Sequence, residues 1–297
     1  MQNDRICSNQ PSKMRLFVRP RGATQIKREH KVSTVPVAPA VAPHAGKRLY
    51  QWVKDFAPPG NKLRWVHTTD AFAVREILEQ RTLSPQPCPV FNQPLTYFFY
   101  GRPAYRFNGR ENMRSSFRAP AVLVFRERIL DHMFRLYPFD SGAFCGQRYE
   151  KWLHKGMPLD SFEYPGKEGN EGRHVSAFYG ENRQYWEGEG RTLDGIAGKY
   201  EVEAVRDLIR DMNTDQADDR RLVVELIVKE AIPLTSEYIE AIYIPTSIKD
   251  ADFVKLFEKD GIAPLYTYPA NGMKPAIEYQ GLLEYKLMEF HELMGAL

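Results

Sequence analysis

The stretch LRWVHTTDAFAVREILEQ, from Leu63 to Gln80, changes its hydrophobic period halfway along. Its first part, LRWVHTT, is typical of a β-strand. Asp70 follows at the position of a helix N-cap, where a carboxylate accepts hydrogen bonds from free backbone N–H groups. The next residues predict a helix with one buried stripe, formed by Ala71, Val74, Ile77 and Leu78. A strand that runs directly into a helix indicates a domain that contains both.

Further strands and helices are predicted on both sides of this stretch. The predicted strands are LTYFFY (95–100), APAVLVFRE (119–127), RLVVELIV (221–228) and EYIEAIYIP (237–245). The predicted helices are EVEAVRDLIRDM (201–212), DADFVKLFEKDG (250–261) and GLLEYKLMEFHELM (281–294). Strands with helices between them predict the α+β class, with flanking helices and long loops.

Charge is unevenly distributed along a chain whose net charge is only +3. Residues 1–48 contain ten Lys or Arg but only Asp4 and Glu29, so this part carries about +8 and the remainder about −5. Residues 1–46 lack a sustained apolar period and include the Pro-rich run VSTVPVAPAVAPHAG. We therefore predict a disordered basic leader at 1–46 and a single domain at 47–297. The leader is either a tether to an anionic partner or a solvating segment without one.

The cellular compartment and a loop-rich region of the chain can also be predicted from composition. Cys7, Cys88 and Cys145 are far apart and odd in number, which argues against a disulfide framework and favours a reducing compartment, the cytoplasm. No secretory signal and no apolar run of about 18 residues is present, so no membrane association is expected. The Gly- and aromatic-rich region at about 145–200 predicts a loop-rich insertion.

Glu225 is a carboxylate inside the otherwise apolar run LVVELIV. On a strand it shares one face with Val223 and Ile227. A carboxylate on a buried face costs free energy unless it is paired or faces a cleft. The pattern leaves open the alternative that this face is solvated and Glu225 is an ordinary exposed residue.

Polar groups at the end of the first strand are candidates for ligand binding. His67, Thr68 and Thr69 bring an imidazole and two hydroxyls together, a set that can bind a sugar diol. A histidine at a strand end is also often a polar residue with no function beyond its own hydrogen bonds, and the sequence does not decide between these readings.

The segment LTYFFYGRPAYR, from Leu95 to Arg106, surrounds an arginine with rings. Pro103 biases Arg102 away from the helical conformation, and this favours a guanidinium held for bidentate contact with phosphate or carboxylate. A surface turn arginine is the alternative. The tyrosines of this segment are either core rings or a cation–π platform.

Other catalytic signatures are missing. The sequence has no G-x-x-x-x-G-K-[ST], G-x-G-x-x-G, H-E-x-x-H or G-x-S-x-G pattern. Neither a metal site nor a serine nucleophile is therefore predicted.

Three segments, taken in order, resemble the ADP-ribosyltransferase superfamily and within it the DarT-type toxins that modify DNA. They are VHTTDAFAVREILEQRTLSP, YFFYGRPAYR and RLVVELIVKEAIPLTSEYIEAIYIP, and together they cover about a quarter of the chain. The resemblance implies an ADP-ribosyltransferase-like split antiparallel sheet. It also implies NAD as the substrate, with no metal.

The resemblance further implies roles for individual residues. His67 and Thr69 would contact the adenosine-side ribose of NAD, and Tyr97 or Tyr105 would stack on nicotinamide. Arg102 would hold the phosphates or assist transfer. Glu225 would be the catalytic carboxylate, and Glu240 is the fallback for that role.

The resemblance implies transfer of ADP-ribose to DNA or RNA by a toxin or anti-phage effector that an antidote protein could restrain. The basic leader and the segment HVSAFYGENRQYWEGEGR favour a nucleic-acid acceptor, because rings stack on bases and cations follow phosphates. The alternatives are a protein-directed transferase, a relative of the RNA 2′-phosphotransferases, or a non-catalytic binding module of the same fold.

Overall fold

A computed structural model describes residues 47–104, 112–166, 169–211 and 219–297. The predicted leader at 1–46, Tyr105 and Met212 lie outside the described residues. The other candidate site residues all lie within these ranges.

Ten strands lie within the described ranges. They are β1 (Trp65–Asp70), β2 (Thr82–Leu83), β3 (Gln86–Cys88), β4 (Gln93–Tyr100), β5 (Pro120–Phe125), β6 (Met133–Tyr137), β7 (Glu225–Val228), β8 (Ile232–Pro233), β9 (Ile239–Pro245) and β10 (Leu265–Tyr268).

Eight α-helices accompany the strands in the same ranges. They are α1 (Arg48–Val53), α2 (Ala71–Gln80), α3 (Ser141–Cys145), α4 (Asn170–Phe178), α5 (Asn182–Glu187), α6 (Tyr200–Arg210), α7 (Asp252–Asp260) and α8 (Gln280–Leu293).

The main sheet has the strand order β10-β9-β5-β1-β4-β7-β6, and β3 pairs with β4 at its margin. The β9–β10 pair is parallel, with α7 in the connection, and the other pairs are antiparallel. The architecture is therefore mixed α+β, with a mixed sheet and flanking helices, as the sequence predicts at this coarse level.

The central strand β1 is joined unequally to its two neighbours. It pairs with β5 along its full length, from Trp65 opposite Phe125 to Asp70 opposite Pro120. Its register with β4 covers only two adjacent pairs, the second of which is Val66 with Phe99. The two strands separate beyond that pair, and we call this opening the β1–β4 split.

Helices cover both faces of the sheet around β5. Alternate residues of this strand belong to different core clusters, with Val122 and Val124 on the face covered by α8 and Leu123 on the face shared with α2 and α7. All six residues of β5 are buried as a result, which explains why this strand reads as a continuous apolar run.

The predicted N-terminal strand and helix are confirmed. The Asp70 carboxylate accepts a hydrogen bond from the Ala73 amide at 2.9 Å, and the buried residues of α2 are the four predicted from the period.

Two helices, α4 and α5, lie within the predicted loop-rich region at about 145–200. The buried positions of α4 include Asn170, Glu171 and His174, so its inward face does not read as an apolar stripe.

Two further sequence predictions concern the cysteines and membranes. Cys88 is a free, buried thiol. Cys145 is disulfide-bonded, although the cysteine count argues against a disulfide framework. Across the described ranges, no helix combines the length and apolar character that a membrane crossing requires.

Candidate active site

Four strands align one residue each in a row that passes Glu225. Val66 of β1 lies opposite Phe99 of β4, Phe99 lies opposite Glu225 of β7, and Glu225 lies opposite Tyr137 of β6. Two interstrand spacings separate the Cα atoms of Val66 and Glu225 by about 10 Å. The segments that carry His67, Tyr97 and Glu225 therefore occupy three adjacent strands.

Tyr97 and Glu225 share one face of the sheet. Because Tyr97 lies opposite Ile227 and Phe99 opposite Glu225, the two residues are diagonal neighbours, about 7–8 Å apart and within reach of an aromatic side chain. The Tyr97 hydroxyl lies 2.7 Å from the Cys88 sulfur. Burial, this hydrogen bond and the nearby Glu225 raise the pKa of Tyr97, so its phenol is neutral.

His67 connects the edge of the split to Tyr97. Its Nδ1 atom lies 2.9 Å from the Tyr97 carbonyl oxygen. If the β1–β4 register were continuous, backbone groups of the two strands would meet at this place instead. Burial lowers the pKa of His67, although the bond to Tyr97 opposes this change. The imidazole is therefore kept neutral at the point where the strands separate.

Glu225 lies in a closed polar environment, with only 1% of its surface exposed. Its Oε2 atom accepts a hydrogen bond of 3.0 Å from the Ser141 amide, in the first turn of α3. The interpretation of Glu225 as an exposed residue on a solvated face is wrong. The other interpretation from the sequence, that Glu225 is a carboxylate on a buried face and needs a partner, agrees with these surroundings.

A buried ion pair lies next to Glu225. Arg220 Nη1 lies 2.6 Å from Asp140 Oδ2, and the Asp140 amide donates to the Arg220 carbonyl at 3.2 Å. Asp140 also caps α3 through the Ala143 amide at 2.8 Å. One guanidinium thus neutralises a site that contains two buried carboxyl groups.

This environment changes the ionisation of Glu225. Burial raises its pKa well above the usual range and the Asp140 carboxyl adds to the rise, whereas the Ser141 contacts and Arg220 oppose it. A cation placed close to Glu225 would favour the ionised form again. The group is therefore able to respond to a developing positive charge.

Two buried hydroxyls border the β1–β4 split. Thr68 of β1 and Thr96 of β4 are 7% and 3% exposed, and neither hydroxyl has a hydrogen-bond partner among the described residues. Buried hydroxyls without partners are uncommon and call for an explanation, such as a ligand or water that they bind. Thr69, the predicted ribose contact, is half-buried and lies opposite Ala121.

Arg102 is not brought to the same place as His67. Phe99 lies opposite Val66 in an antiparallel pair. Arg102 comes three residues after Phe99 and His67 comes directly after Val66, so the two residues lie in opposite directions from this pair. The Arg102 Nη2 atom donates to the carbonyl oxygen of Trp186 at 2.6 Å, next to the end of α5. In this structure the guanidinium ties the turn after β4 to that helix.

Glu240, the fallback carboxylate, lies elsewhere in the sheet. It accepts from Arg64 at 2.5 Å and from Arg126 at 3.0 Å. Strands β5, β1 and β4 separate its strand from β7. Tyr105, the alternative stacking ring, lies outside the described residues.

Sequence reasoning missed the partners of Glu225. Asp140 and Ser141 occur in the run FDSG, where Asp before a small helical residue is an N-cap signal. That signal predicts the start of α3. It does not predict the contact of α3 with β7, because Ser141 and Glu225 are 84 residues apart in the sequence. Arg220 carries no signal that distinguishes it from Arg221.

A surface cavity of about 510 Å³ lies apart from these residues. Its lining includes Arg48, Trp152, His154, Tyr200 and Asp207, and none of the candidate site residues contributes to it. Within the described part of the chain, no group of three or more His, Cys, Asp or Glu is arranged to hold a metal ion.

Comparisons with protein-family models, with curated proteins and with solved structures find no match to this chain.

Proposed function

We propose that this protein is an NAD-dependent ADP-ribosyltransferase that transfers ADP-ribose to a nucleic acid, DNA or RNA. One observation carries the proposal. The three segments that resemble this superfamily fold into the adjacent strands β1, β4 and β7, which bring His67 to Tyr97 and Tyr97 to Glu225.

The separation of β1 from β4 supports an ADP-ribosyltransferase-like split sheet. The two strands share two register pairs, and then His67 bonds the Tyr97 carbonyl. Thr68 and Thr96, on the two strands that border this opening, have buried hydroxyls with no partner among the described residues, and each is available to a bound molecule or water. We assign His67 and Thr69 to the adenosine-side ribose and Tyr97 to the nicotinamide ring.

The chemistry is a displacement at the ribose of NAD. The bond from ribose C1′ to the nicotinamide nitrogen breaks, and its electron pair leaves with nicotinamide. A sugar cation with oxocarbenium character forms, as in glycoside hydrolysis. A lone pair of the acceptor then bonds to C1′, and the acceptor passes its proton to a base, for which Glu225 is the candidate.

Glu225 would stabilise this cation electrostatically. A carboxylate about 4 Å from a unit positive charge contributes about 4 kcal/mol at an effective dielectric constant near 20. That free energy corresponds to a rate factor of roughly 10³. Burial raises the pKa of Glu225 and so favours its neutral form. The positive charge of bound NAD would favour the ionised form instead.

A non-catalytic module of the same fold would account for the same ionic cluster in another way. Asp140, Arg220 and Glu225 are each less than a tenth exposed, and buried ionic groups also specify packing in proteins without activity. Removal of the Glu225 charge distinguishes the two functions, because only an enzyme loses turnover.

The test uses adenine-labelled NAD, incubated with the full chain and separate pools of DNA, RNA and protein. We expect label in a nucleic-acid pool, with release of nicotinamide, and loss of both in Glu225→Gln. The matched control is Glu230→Gln, which changes an exposed glutamate just after β7 and should retain activity. Label in no pool together with no nicotinamide release would reject the enzyme and leave the binding module. Label in the protein pool alone would redirect the acceptor assignment.

A further inference from the structure

Two exposed phenylalanines lie side by side next to the candidate site. Phe72 in the first turn of α2 is 57% exposed, and Phe117 in the 3₁₀ helix Ser116–Arg118 is 49% exposed. Their ring centroids are 6.4 Å apart in an edge-on arrangement. Rings of this size are costly to leave in water, so a pair of them indicates a contact surface.

Arginines accompany both rings. The guanidinium carbon of Arg75 lies 5.0 Å from the centroid of Phe72, and that of Arg118 lies 5.9 Å from the centroid of Phe117. Neither arginine forms an ion pair with a carboxylate of the described residues. Glu76 and Glu79 are also exposed on α2, one helical turn after Phe72 and Arg75 respectively, and they reduce the positive charge of this surface.

The fold places these four residues beside the end of β1. Asp70 lies opposite Pro120, and the Ala71 amide donates to the Ala119 carbonyl at 2.8 Å. Phe72 follows Thr69, the predicted ribose contact, by three residues. A molecule held on the two rings would therefore lie at the end of β1.

We propose that Phe72, Arg75, Phe117 and Arg118 form a docking surface for a single strand of nucleic acid, which we call the Phe72–Phe117 platform. Exposed rings stack on bases of any sequence, and arginines beside them contact the phosphates. The choice of occupant rests on the proposed function, because the platform would present the acceptor strand to the site. A nucleic-acid strand has bases with apolar faces and an anionic backbone, so a surface that combines aromatic rings with arginines is complementary to it.

The test measures binding of a fluorescein-labelled oligothymidylate of about twelve nucleotides to the full chain, by anisotropy and without NAD. We expect Phe72→Ala and Phe117→Ala each to weaken binding by roughly 5- to 150-fold, the range of one stacked base. Arg75→Gln and Arg118→Gln should each reduce the salt slope of log K by about 0.7, the value for one phosphate contact on a single strand.

Two further variants of Phe72 identify the occupant. Phe72→Trp should retain binding and Phe72→Leu should lose it, because stacking needs a π-face, whereas an apolar protein contact would tolerate leucine. Leu256→Ala and Tyr285→Ala are the controls, since these side chains are 57% and 51% exposed on other helices, and both should bind like the unmodified chain.

The outcomes separate this inference from the proposed function. Unchanged affinity in the Phe72→Ala and Phe117→Ala variants, absence of binding by the unmodified chain, or full binding by Phe72→Leu would each overturn the platform. Loss of binding in the ring variants of a protein that never cleaves NAD would retain the platform and reject the transferase.

Discussion

Tyr97 and Glu225 lie diagonally across the β4–β7 pair on one face of the sheet, and His67 holds the backbone of Tyr97 from the opposite strand. A neutral phenol ring thus lies near a buried carboxyl group, and a neutral imidazole contacts the backbone of the same tyrosine. Each of the three comes from a different part of the sequence, and Glu225 and Tyr97 each make a separate prediction.

Glu225→Gln should separate activity from stability. We expect turnover of NAD to fall by about two to four orders of magnitude, from the loss of a charge close to the sugar cation. The fold should be retained or stabilised at neutral pH, because Gln also accepts from the Ser141 amide and needs no ionisation in a buried site. Initial rates and the midpoint of thermal unfolding measure the two effects. An active Gln variant would reject Glu225 as the catalytic carboxylate.

The Tyr97 ring, rather than its hydroxyl, should support NAD binding. We expect Tyr97→Ala to raise KM for NAD by roughly 2- to 30-fold, the range of one cation–π contact with the nicotinamide ring. Tyr97→Phe should retain the KM. Cys88→Ala is the control, since it removes the sulfur bound to the hydroxyl and leaves the ring. A large effect of Tyr97→Phe would instead assign a role to the hydroxyl.

Arg220→Met should destabilise the fold strongly. It leaves Asp140 buried without its guanidinium partner, and breaking such a pair costs about 3–5 kcal/mol in the free energy of unfolding. Chemical denaturation measures the change. The comparison is Arg183→Gln at the exposed pair with Glu292, 2.8 Å apart, where about 1 kcal/mol or less is expected. Equal effects in the two variants would contradict the importance of the cluster.

Gly101→Ala should disturb the turn that follows β4. Gly101 has φ +77°, and an added Cβ would lie 2.8 Å from Leu63 Cδ1. We expect a loss of about 1–3 kcal/mol in the free energy of unfolding, from the left-handed backbone and the contact. Gly60 has open space around it, so Gly60→Ala should change stability by about 0.5 kcal/mol or less.

Two buried histidines should make the protein less stable in mild acid. Burial lowers the pKa of His174 to about 3 and that of His291 to about 4, against about 6.5 in the unfolded chain. Below pH 6.5 the unfolded chain therefore binds protons that the folded chain does not. The free energy of unfolding then falls with pH by up to about 1.36 kcal/mol per unit for each histidine.

The contribution of His291 ends near pH 4, where the folded chain also takes up the proton. Urea titrations at several pH values should show a shallower slope in His291→Gln than in the unmodified chain. His154→Gln, at an exposed histidine, is the matched control for the substitution itself. Glu225, whose pKa is raised by burial, has the opposite effect on the free energy of unfolding as the pH falls. Its contribution cancels when the slopes of His291→Gln and the unmodified chain are compared, because both contain Glu225.

Elements with a strong local signal could be predicted from the sequence. The period of α2 and the Asp70 cap specify the helix without tertiary information, and the observed bounds agree with them. The apolar runs of β5 and β9 likewise indicate strands, because both faces of the sheet are covered.

The missed elements are those whose stability comes from distant contacts. The strand β6 contains Arg135 among its five residues, and that residue is neutralised by Glu163 from another segment at 2.5 Å. The environment of Glu225 depends in the same way on Asp140, which is far from it in the chain and pairs with Arg220. A single sequence shows that a buried carboxylate needs partners but not which residues they are.

The β1–β4 split leaves the sheet as two blocks, one containing β1, β5, β9 and β10 and the other containing β4, β7 and β6, with two residue pairs in register between them. Backbone amides in the two blocks should accordingly exchange with deuterated solvent as separate cooperative units. A molecule that spans the opening would fasten both blocks at once, and the protection of their amides would rise together.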